Sequence, residues 1–522
     1  MFKYLNKDLP ASLVVFFVAL PLCLGIALAS GAPLFSGLIA GMIGGIVVGS
    51  ISGSSLGVSG PAAGLAVIVL GAIQVLGSFE NFLLAVVLAG GIQIILGLLK
   101  AGIIGYYFPS SVIKGMLAGI GITIIIQQLP NILGLSDSEG IASIHDPGEG
   151  IYFSFANLSE LISYGALILT LLALAVLLLW DKVLSKKHQL FKLIPGSLVA
   201  VVIGIIYYLT VPAGDFALSP NLLVNVPVPD NVDSFFGQFS TPNFSMIGDP
   251  QIWIIALTIA VVASLETLLS VEAVDKIDPR KRMTPTNREL FAQGSGNILS
   301  GFIGGLPITQ VIVRSSANVH SGGRTKLSTI LHGFLILISI IAIPTLLNLI
   351  PLAILSAILL IVGYKLSSPS LYLKMFSLGK SQFMPFIITV LGVVFSDLLV
   401  GIGLGLVVGI TVILINSYKN SHFLQKEKNG SSGNKYRIIL AEEVTFLNKG
   451  GILKELYSIP KNSHLEIDVQ KTKVLDYDII EILDEFKIKA RNNDIEITLV
   501  SERGNFKNPE SYYTFFRKKI TA

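Results

Sequence analysis

Long hydrophobic runs separated by short polar breaks occupy the first 418 residues of this 522-residue chain. From Leu9 to Phe79 the chain contains no Asp, Glu, Lys or Arg. A core helix of a soluble protein does not run that far without a charged face, so the pattern indicates a membrane protein with many spans. Small polar residues and proline interrupt two of the apolar stretches, at 57–64 and 304–307. We predict an all-α membrane unit of fourteen segments, in which the third and the tenth are broken helices.

The fourteen predicted segments divide into two halves of seven, residues 9–211 and 251–418, and each broken segment is third in its half. An odd number of spans in each half inverts the second half relative to the first. Inverted repeats whose broken helices meet near the membrane midplane are a recurrent plan among secondary transporters. Pro61 is predicted at the first position of one half-helix, and the other half-helix is predicted to begin near Ile308.

The charges of the connecting loops predict the orientation of the chain. Loops 134–160 and 212–250 contain acidic residues and no Lys or Arg, whereas loops 181–192 and 276–288 are rich in basic residues. Basic loops remain in the cytoplasm, so the acidic loops face outward. We therefore expect a multi-pass protein of the plasma or inner membrane with both termini in the cytoplasm.

The last hundred residues differ in composition from the rest. The whole chain is 52% hydrophobic and 13% charged, with a mean hydropathy of +0.74, whereas soluble domains carry about 25% charged residues. Residues 419–434 are polar and read as a linker, and residues 435–522 alternate strand and helix patterns. We predict a transport domain over 1–418 and a small cytoplasmic α/β domain over 435–522.

Glu266 is the first candidate functional residue, because it lies within the apolar segment 251–270, where an ionised side chain is costly. A helix that begins inside the membrane directs unpaired N–H groups and a positive dipole end at whatever lies in front of it, which suits a small anion. We interpret the two broken segments as one anion site beside Glu266. Arg314, placed two turns into the second half-helix, either adds a positive field or pairs with an acid.

The same residues argue against other classes of protein. No nucleophile–base pair or metal-ligand cluster is apparent in the sequence, so we predict a protein that is not an enzyme. We expect no cofactor apart from Na⁺ as a coupling ion, and no nucleic-acid partner. The expected partners are a small inorganic anion, membrane lipid and a second copy of the chain.

Several motifs together resemble the SulP anion transporters, the family of sulfate permeases and prestin relatives. They are V-S-G-P-A-A-G at 58–64, S-L-E-T-L-L-S at 264–270 and G-G-L-P-I-T-Q-V-I-V-R-S-S-A-N at 304–318. The C-terminal part resembles a STAS domain, the usual cytoplasmic appendage of that family. The amino-acid sequence of the tenth segment most resembles a bacterial branch of the family that is associated with bicarbonate uptake.

The resemblance implies a homodimer that works by elevator-type alternating access. The anion-binding residues, to which we add Arg314, are then Ser59, Gly60, Ala62, Ala63, Ile308, Thr309, Gln310 and Arg314. The implied cation-coupling residues are Glu266 and Ser270. Many members of the family have Thr where this chain has Ala62 and Ser where it has Val313, so backbone N–H groups become the main expected donors.

Bicarbonate uptake coupled to Na⁺ or H⁺ is the leading hypothesis, and a sulfate–proton symporter or an anion exchanger is the alternative. The sequence is compatible with either Na⁺ or H⁺ as the coupling ion. A nucleobase transporter of the same seven-plus-seven plan is disfavoured by the C-terminal domain. A motor or channel-like protein, in which the anion binds without crossing, is separated from a transporter by flux measurements.

Overall fold

The computed structural model describes residues 2–103, 109–135, 162–187, 191, 194–212, 214–228, 237–396, 398–428 and 434–517. The chain forms two compact units, residues 1–406 and 407–522. Most of the predicted acidic loop 134–160 lies outside the described residues, as do parts of the predicted loops 181–192 and 212–250.

The first unit is helical. Among the described residues, eight helices are long and apolar enough to cross a membrane, and four shorter helices are apolar. The first half contains α1 (Leu5–Ala29), α2 (Leu34–Ile51), α3 (Ala66–Leu76), α4 (Phe79–Leu98), α5 (Ser110–Leu133), α6 (Tyr164–Leu184) and α7 (Gly196–Thr210). The second half contains α8 (Pro250–Ile277), α9 (Thr286–Phe302), α10 (Ile312–His320), α11 (Leu327–Ala342), α12 (Leu352–Leu366), α13 (Lys380–Phe395) and the start of α14 (Leu398–Lys419), whose residues from 407 onward belong to the second unit. The number of membrane crossings stays a prediction.

Two short strands replace the predicted starts of the half-helices. Strand β1 (Ser59–Pro61) pairs antiparallel with β2 (Ile308–Gln310), with Pro61 opposite Ile308. The prediction that a helix begins at Pro61 was therefore wrong, and so was the predicted start near Ile308. Extended backbone away from water needs hydrogen-bond partners, and each broken segment supplies them to the other.

Glycine lets helices of the first unit approach closely. A Cβ atom built on Gly90 of α4 would lie 2.6 Å from the carbonyl oxygen of Gly294 in α9, and the reverse contact is equally short. Only glycine tolerates such distances at both positions. Small residues at helix contacts are typical of packing within membranes, where the hydrophobic effect does not drive helices together.

The second unit is a mixed sheet with helices packed on it. The strands are β3 (His422–Lys428), β4 (Asn434–Leu440), β5 (Glu443–Val444), β6 (His464–Asp468), β7 (Val474–Leu475), β8 (Glu496–Ser501) and β9 (Gly504–Lys507). The sheet has the order β3–β4–β6–β8–β9, with parallel pairs in the centre and antiparallel pairs at both edges. The helices are α15 (Lys449–Tyr457), α16 (Tyr477–Asn492) and α17 (Tyr512–Arg517).

Part of the predicted polar linker 419–434 is a strand. Residues 422–428 form β3, which pairs along its whole length with β4. An edge strand needs only backbone partners on one side, so its polar side chains do not distinguish it from a linker. The core of this unit contains Ile438, Leu465, Ile467, Phe486 and Leu499.

Candidate functional site

Polar side chains of neighbouring helices hold the paired strands in place. The amide nitrogen of Ile308 donates to Asn297 Oδ1 at 2.6 Å, and Asn297 Nδ2 donates back to the carbonyl oxygen of Ile308 at 3.1 Å. The amide nitrogen of Gln310 donates to Thr267 Oγ1 at 3.2 Å. Strand β2 is thus attached to α9 through Asn297 and to α8 through Thr267, the residue next to Glu266.

Each half-helix begins directly after its strand and lacks a side-chain cap. A 3-10 turn, Ala63–Leu65, leads into α3, and Val311 precedes α10; neither start has a capping side chain. The first N–H groups of a helix have no partner within the helix. Both starts therefore offer backbone donors and a positive dipole end to the space in front of them.

A cavity of about 100 Å³ lies at these two helix starts. Its walls include Pro61, Ala63 and Gly64 at one start, Val311, Ile312, Val313 and Arg314 at the other, and Glu266, Leu269 and Ser270 from α8. Leu22 and Ile26 of α1, Leu117 of α5, and Val362 and Leu366 of α12 contribute the remaining walls. The cavity is thus apolar except for a carboxylate, a guanidinium, a hydroxyl and the backbone of two helix starts.

Glu266 brings its carboxylate against the start of α3. A Cβ atom on Gly64 would lie 2.7 Å from Glu266 Oε1, so glycine is required for this approach. The Gly64 backbone donates a hydrogen bond to the carboxylate, whereas the buried Oε2 atom has no hydrogen-bond partner among the described residues. One carboxylate oxygen is therefore left to be satisfied by something other than the described protein groups.

Arg314 is 1% exposed and lines the same cavity as Glu266. Its Nη2 atom donates to the carbonyl oxygen of Pro61 at 3.4 Å, its guanidinium lies beside Cys23, and its Nη1 atom has no partner among the described residues. A Cβ atom on Gly60 would lie 2.2 Å from Nη1. Arg314 is the third residue of α10, so its predicted place two turns into that helix was wrong by about one turn.

Glu266 and Arg314 do not pair with each other. The ion pairs of the described part of the first unit are Lys276–Glu272, Arg282–Asp278 and Lys365–Asp181. A buried charge is costly unless another group neutralises it. The cavity thus contains one positive and one negative side chain, each lacking a protein counter-ion in the described structure.

The structure groups the ten predicted site residues into two sets. Ala63, Glu266, Ser270 and Arg314 line the cavity. Ser59, Gly60, Ile308, Thr309 and Gln310 form the strand pair behind it, and Ala62 connects β1 to the first helical turn. The backbone that lines the cavity therefore belongs to residues after the strands, chiefly Gly64, whose N–H donates to Glu266, and Ile312 and Val313 in the first turn of α10. That these residues bind an anion and a cation stays a prediction.

A second buried carboxylate, Glu289 of α9, did not emerge from the sequence. Glu289 Oε2 accepts a hydrogen bond from Ser52 Oγ at 2.5 Å, and Oε1 accepts one from Gln293 Nε2 at 3.0 Å. Gln293 Nε2 also donates to Ser59 Oγ at 2.8 Å, so this network reaches β1. The available signal was the spacing of Glu289, Gln293 and Asn297 every four residues, which places three polar side chains on one helix face.

Comparisons with known proteins agree with this architecture. The sulfate permease family matches residues 5–389. YvdB of Bacillus subtilis, provisionally named a sulfate transporter, is 28% identical over 403 residues, which are 77% of this chain and 72% of YvdB. The bicarbonate transporter BicA of Picosynechococcus sp. is 29% identical over 436 residues, 82% of this chain and 72% of BicA.

Two solved structures share the fold. The transmembrane domain of a cyanobacterial BicA has a TM-score of 0.65 at 25% identity, covering 77% of this chain and 98% of that domain. The murine anion transporter Slc26a9 has a TM-score of 0.75 at 18% identity, covering 96% of this chain and 86% of its own. The fold and the family match together define a membrane anion transporter rather than an enzyme. The chain belongs to the sulfate permease family.

Proposed function

We propose that this protein takes up bicarbonate by secondary active transport coupled to Na⁺ or H⁺. The observation that supports the proposal best is the cavity in which Glu266 and Arg314 face the same space without a protein counter-ion in the described structure. A bound anion neutralises Arg314 and accepts hydrogen bonds from the helix starts. A cation or proton bound at Glu266 neutralises the carboxylate, so the two cargoes stabilise each other in the site.

The size of the cavity favours a small inorganic anion. Pockets for drug-sized organic ligands measure about 300–1,000 Å³, and this cavity measures about 100 Å³. A nucleobase also requires side chains that hydrogen-bond its ring, whereas the polar side chains lining the cavity are Glu266, Ser270 and Arg314. Bicarbonate ranks first because BicA is 29% identical to this chain, and sulfate ranks second because YvdB is similar at 28%.

The walls of the cavity suggest how access alternates. Of the lining elements, we assign α1, α8 and the two helix starts to one wall, and α5 and α12 to the other. The second wall consists of apolar side chains, Leu117, Val362 and Leu366, which make no hydrogen bonds that movement would break. An elevator-type displacement of the first wall along the second therefore opens the site to either side of the membrane.

We propose further that the second unit is a cytoplasmic STAS domain and that the protein is a homodimer in the cell membrane. Both termini then lie in the cytoplasm, as the basic loops indicate. Tyr477 and Asp478 follow Asp476 at the start of α16, so a phosphorylated serine at this position is not part of the proposal. We expect removal of residues 435–522 to lower transport or expression while leaving anion preference unchanged.

Uptake of labelled bicarbonate into proteoliposomes tests the function directly. The full-length protein is reconstituted, and uptake is measured with and without an inward Na⁺ gradient, with and without excess sulfate outside. Uptake that depends on Na⁺ and ignores sulfate supports a Na⁺–bicarbonate symporter. Uptake that only a pH gradient drives and that sulfate leaves unchanged supports H⁺ coupling of bicarbonate, whereas uptake that sulfate blocks supports the sulfate–proton alternative. Binding without flux would overturn the transporter proposal.

A further inference from the structure

Three separate chain segments meet at one end of the first unit. The carboxylate of Asp8, in the first turn of α1, accepts hydrogen bonds from the backbone nitrogen of Arg324 at 2.6 Å and from Thr325 Oγ1 at 2.6 Å. Arg282 Nη1 donates to the carbonyl oxygen of Arg324 at 3.0 Å. The guanidinium of Arg280 lies 4.8 Å from the ring centre of Tyr4. The chain start, the α8–α9 loop and the α10–α11 loop are therefore held together.

Basic side chains collect where these segments meet. We call Lys3, Lys7, Arg280, Lys281 and Arg324 the basic corner. Within the described residues, none of the five has a carboxylate within 4 Å, whereas other ion pairs of the same loop are formed. Arg280 also donates a hydrogen bond to the Tyr4 hydroxyl and lowers its pKa, with Lys3 and Arg324 adding to that effect. The corner is thus a region of concentrated positive charge.

The acidic side chains around the basic corner already have other partners. Asp8 is fully buried beneath the α10–α11 loop. Asp278 accepts from Arg282 Nε at 2.7 Å and Nη2 at 3.2 Å. Asp275 accepts from Thr284, and Glu272 pairs with Lys276. Asp8 and Asp275 accept from uncharged donors and so offset part of the positive charge, whereas Glu272 and Asp278 pair with Lys276 and Arg282. Within the described residues none of these acids forms an ion pair with the basic corner, which leaves its cations able to pair with an anion from outside the chain.

An apolar stripe begins beside the basic corner on the same helix. Leu5, Leu9 and Leu13 of α1 are 43%, 51% and 44% exposed, and they follow one another at intervals of four residues. Residues at that spacing share one face of a helix. Outward-facing leucines on a transmembrane helix contact acyl chains, and basic side chains at its end lie at the level of the lipid headgroups.

The geometry points to a binding site for an anionic phospholipid, with its phosphate at Arg280, Arg324 and Tyr4 and an acyl chain along Leu5, Leu9 and Leu13. An excess of basic residues also serves as a topology signal in any cytoplasmic loop. The basic corner goes beyond that requirement, because it assembles charges from three segments around an aromatic ring and adjoins a lipid-facing stripe. Arginine suits the role, because its planar donors match the oxygens of a phosphate.

Retention of phosphatidylglycerol by the purified full-length protein tests the assignment. Native mass spectrometry counts phosphatidylglycerol and phosphatidylcholine bound after delipidation and addition of each lipid. The paired variant Arg280→Gln with Arg324→Gln is compared with Lys374→Gln with Lys380→Gln, which neutralises two exposed basic residues elsewhere on the predicted cytoplasmic side. We expect the first pair to weaken phosphatidylglycerol binding roughly tenfold and the control pair to leave it near the wild-type value.

Three results would overturn the assignment. Equal losses in both paired variants would indicate diffuse attraction to the anionic membrane rather than a site. Unchanged binding in Arg280→Gln with Arg324→Gln would remove the site altogether. Inorganic phosphate that displaces phosphatidylglycerol at equal concentration would identify a free-anion site. Leu9→Ala is an independent test, because it keeps every charge. We expect it to weaken the binding of phosphatidylglycerol and to leave the binding of inorganic phosphate unchanged.

Discussion

Glu266 and Glu289 are two carboxylates from neighbouring helices of the same unit, and their surroundings differ sharply. Glu289 is completely buried and both oxygens accept hydrogen bonds, from Ser52 and Gln293. Glu266 is only partly buried and lines the cavity, yet its Oε2 atom has no partner among the described residues. The more deeply buried group is the better satisfied one.

From this difference we propose that a carboxylate with an unmet hydrogen-bonding oxygen beside a cavity is a better candidate for a binding site than one that is merely buried. A carboxylate that its neighbours already satisfy stabilises the fold and has no oxygen left for a ligand. Glu289 therefore fixes the chain around Ser52 and, through Gln293, the position of Ser59. Glu266, whose Oε2 atom has no partner among the described residues, is the group that we propose binds a cation or a proton. Four substitutions test this difference, from the largest expected effect to the smallest.

Glu266→Gln is expected to have the largest effect on transport. The amide keeps the size of the side chain but removes the charge that a cation neutralises, so uptake should lose its dependence on the Na⁺ or H⁺ gradient. Proteoliposome uptake with and without each gradient measures this loss, and the unfolding temperature should stay near that of the wild type. Gradient-driven uptake at the wild-type rate would remove Glu266 from the coupling mechanism.

Glu289→Gln is expected to show the opposite pattern. The substitution leaves Ser52 Oγ without its charged acceptor and introduces an amide NH₂ among donors, so we expect a loss of about 2–3 kcal/mol of stability. Thermal unfolding of the purified protein measures the loss. Transport per folded molecule should retain its gradient dependence and its apparent affinity for the anion. If Glu289→Gln folded normally but lost cation coupling, Glu289 would have the same role in transport that we propose for Glu266, and the difference between the two carboxylates would disappear.

Gly64→Ala alters the Glu266 site without changing any charge. The new Cβ atom would lie 2.7 Å from Glu266 Oε1, so the carboxylate has to move. Because the carboxylate is the end of a flexible side chain, the fold tolerates this shift, and we expect roughly a tenfold weaker apparent affinity for the coupling cation. Gly71→Ala is the matched control on α3, because a Cβ atom there meets no atom within 4 Å. Equal kinetics for the two variants would contradict the close approach of Glu266.

Tyr512→Phe tests the same rule where no transport site is expected. Tyr512 of the second unit is buried, and its hydroxyl has no partner among the described residues. Removing an unsatisfied buried hydroxyl should leave stability unchanged or raise it by about 1 kcal/mol. Thermal unfolding and bicarbonate uptake are both measured, and uptake should not change. A marked loss of uptake would show that an unmet polar group of the second unit also governs transport.

The sequence was most informative where a single pattern determines the structure. The apolar runs located the helices, as for α1, whose predicted start at Leu9 became Leu5. Glu266 stood out because charge is rare in such segments. The breaks near Pro61 and Ile308 were also recognised, and with them the two regions that meet. These features depend on local composition, which a sequence displays directly.

The missed features depend on pairing between distant residues. Strands β1 and β2 have three residues each and exist because residues about 250 positions apart hydrogen-bond to one another. A strand of three residues is too short to show an alternating pattern of polar and apolar side chains. The sequence therefore predicts that the helices α3 and α10 begin earlier than they do. Glu289 was overlooked for a related reason, since only its contacts with Ser52 and Gln293 explain its burial. Strand β3 likewise became visible only through its partner β4.

We propose that a bound anion and a bound cation or proton together neutralise the charges of Arg314 and Glu266. Calorimetric titration of the purified protein with bicarbonate, at low and saturating Na⁺, tests it most directly, together with the reverse titration. Thermodynamic linkage requires Na⁺ to tighten bicarbonate binding by the same factor by which bicarbonate tightens Na⁺ binding. We predict a factor of at least about five in the wild type and none in Glu266→Gln. Bicarbonate binding that neither Na⁺ nor a change of pH alters would contradict the account.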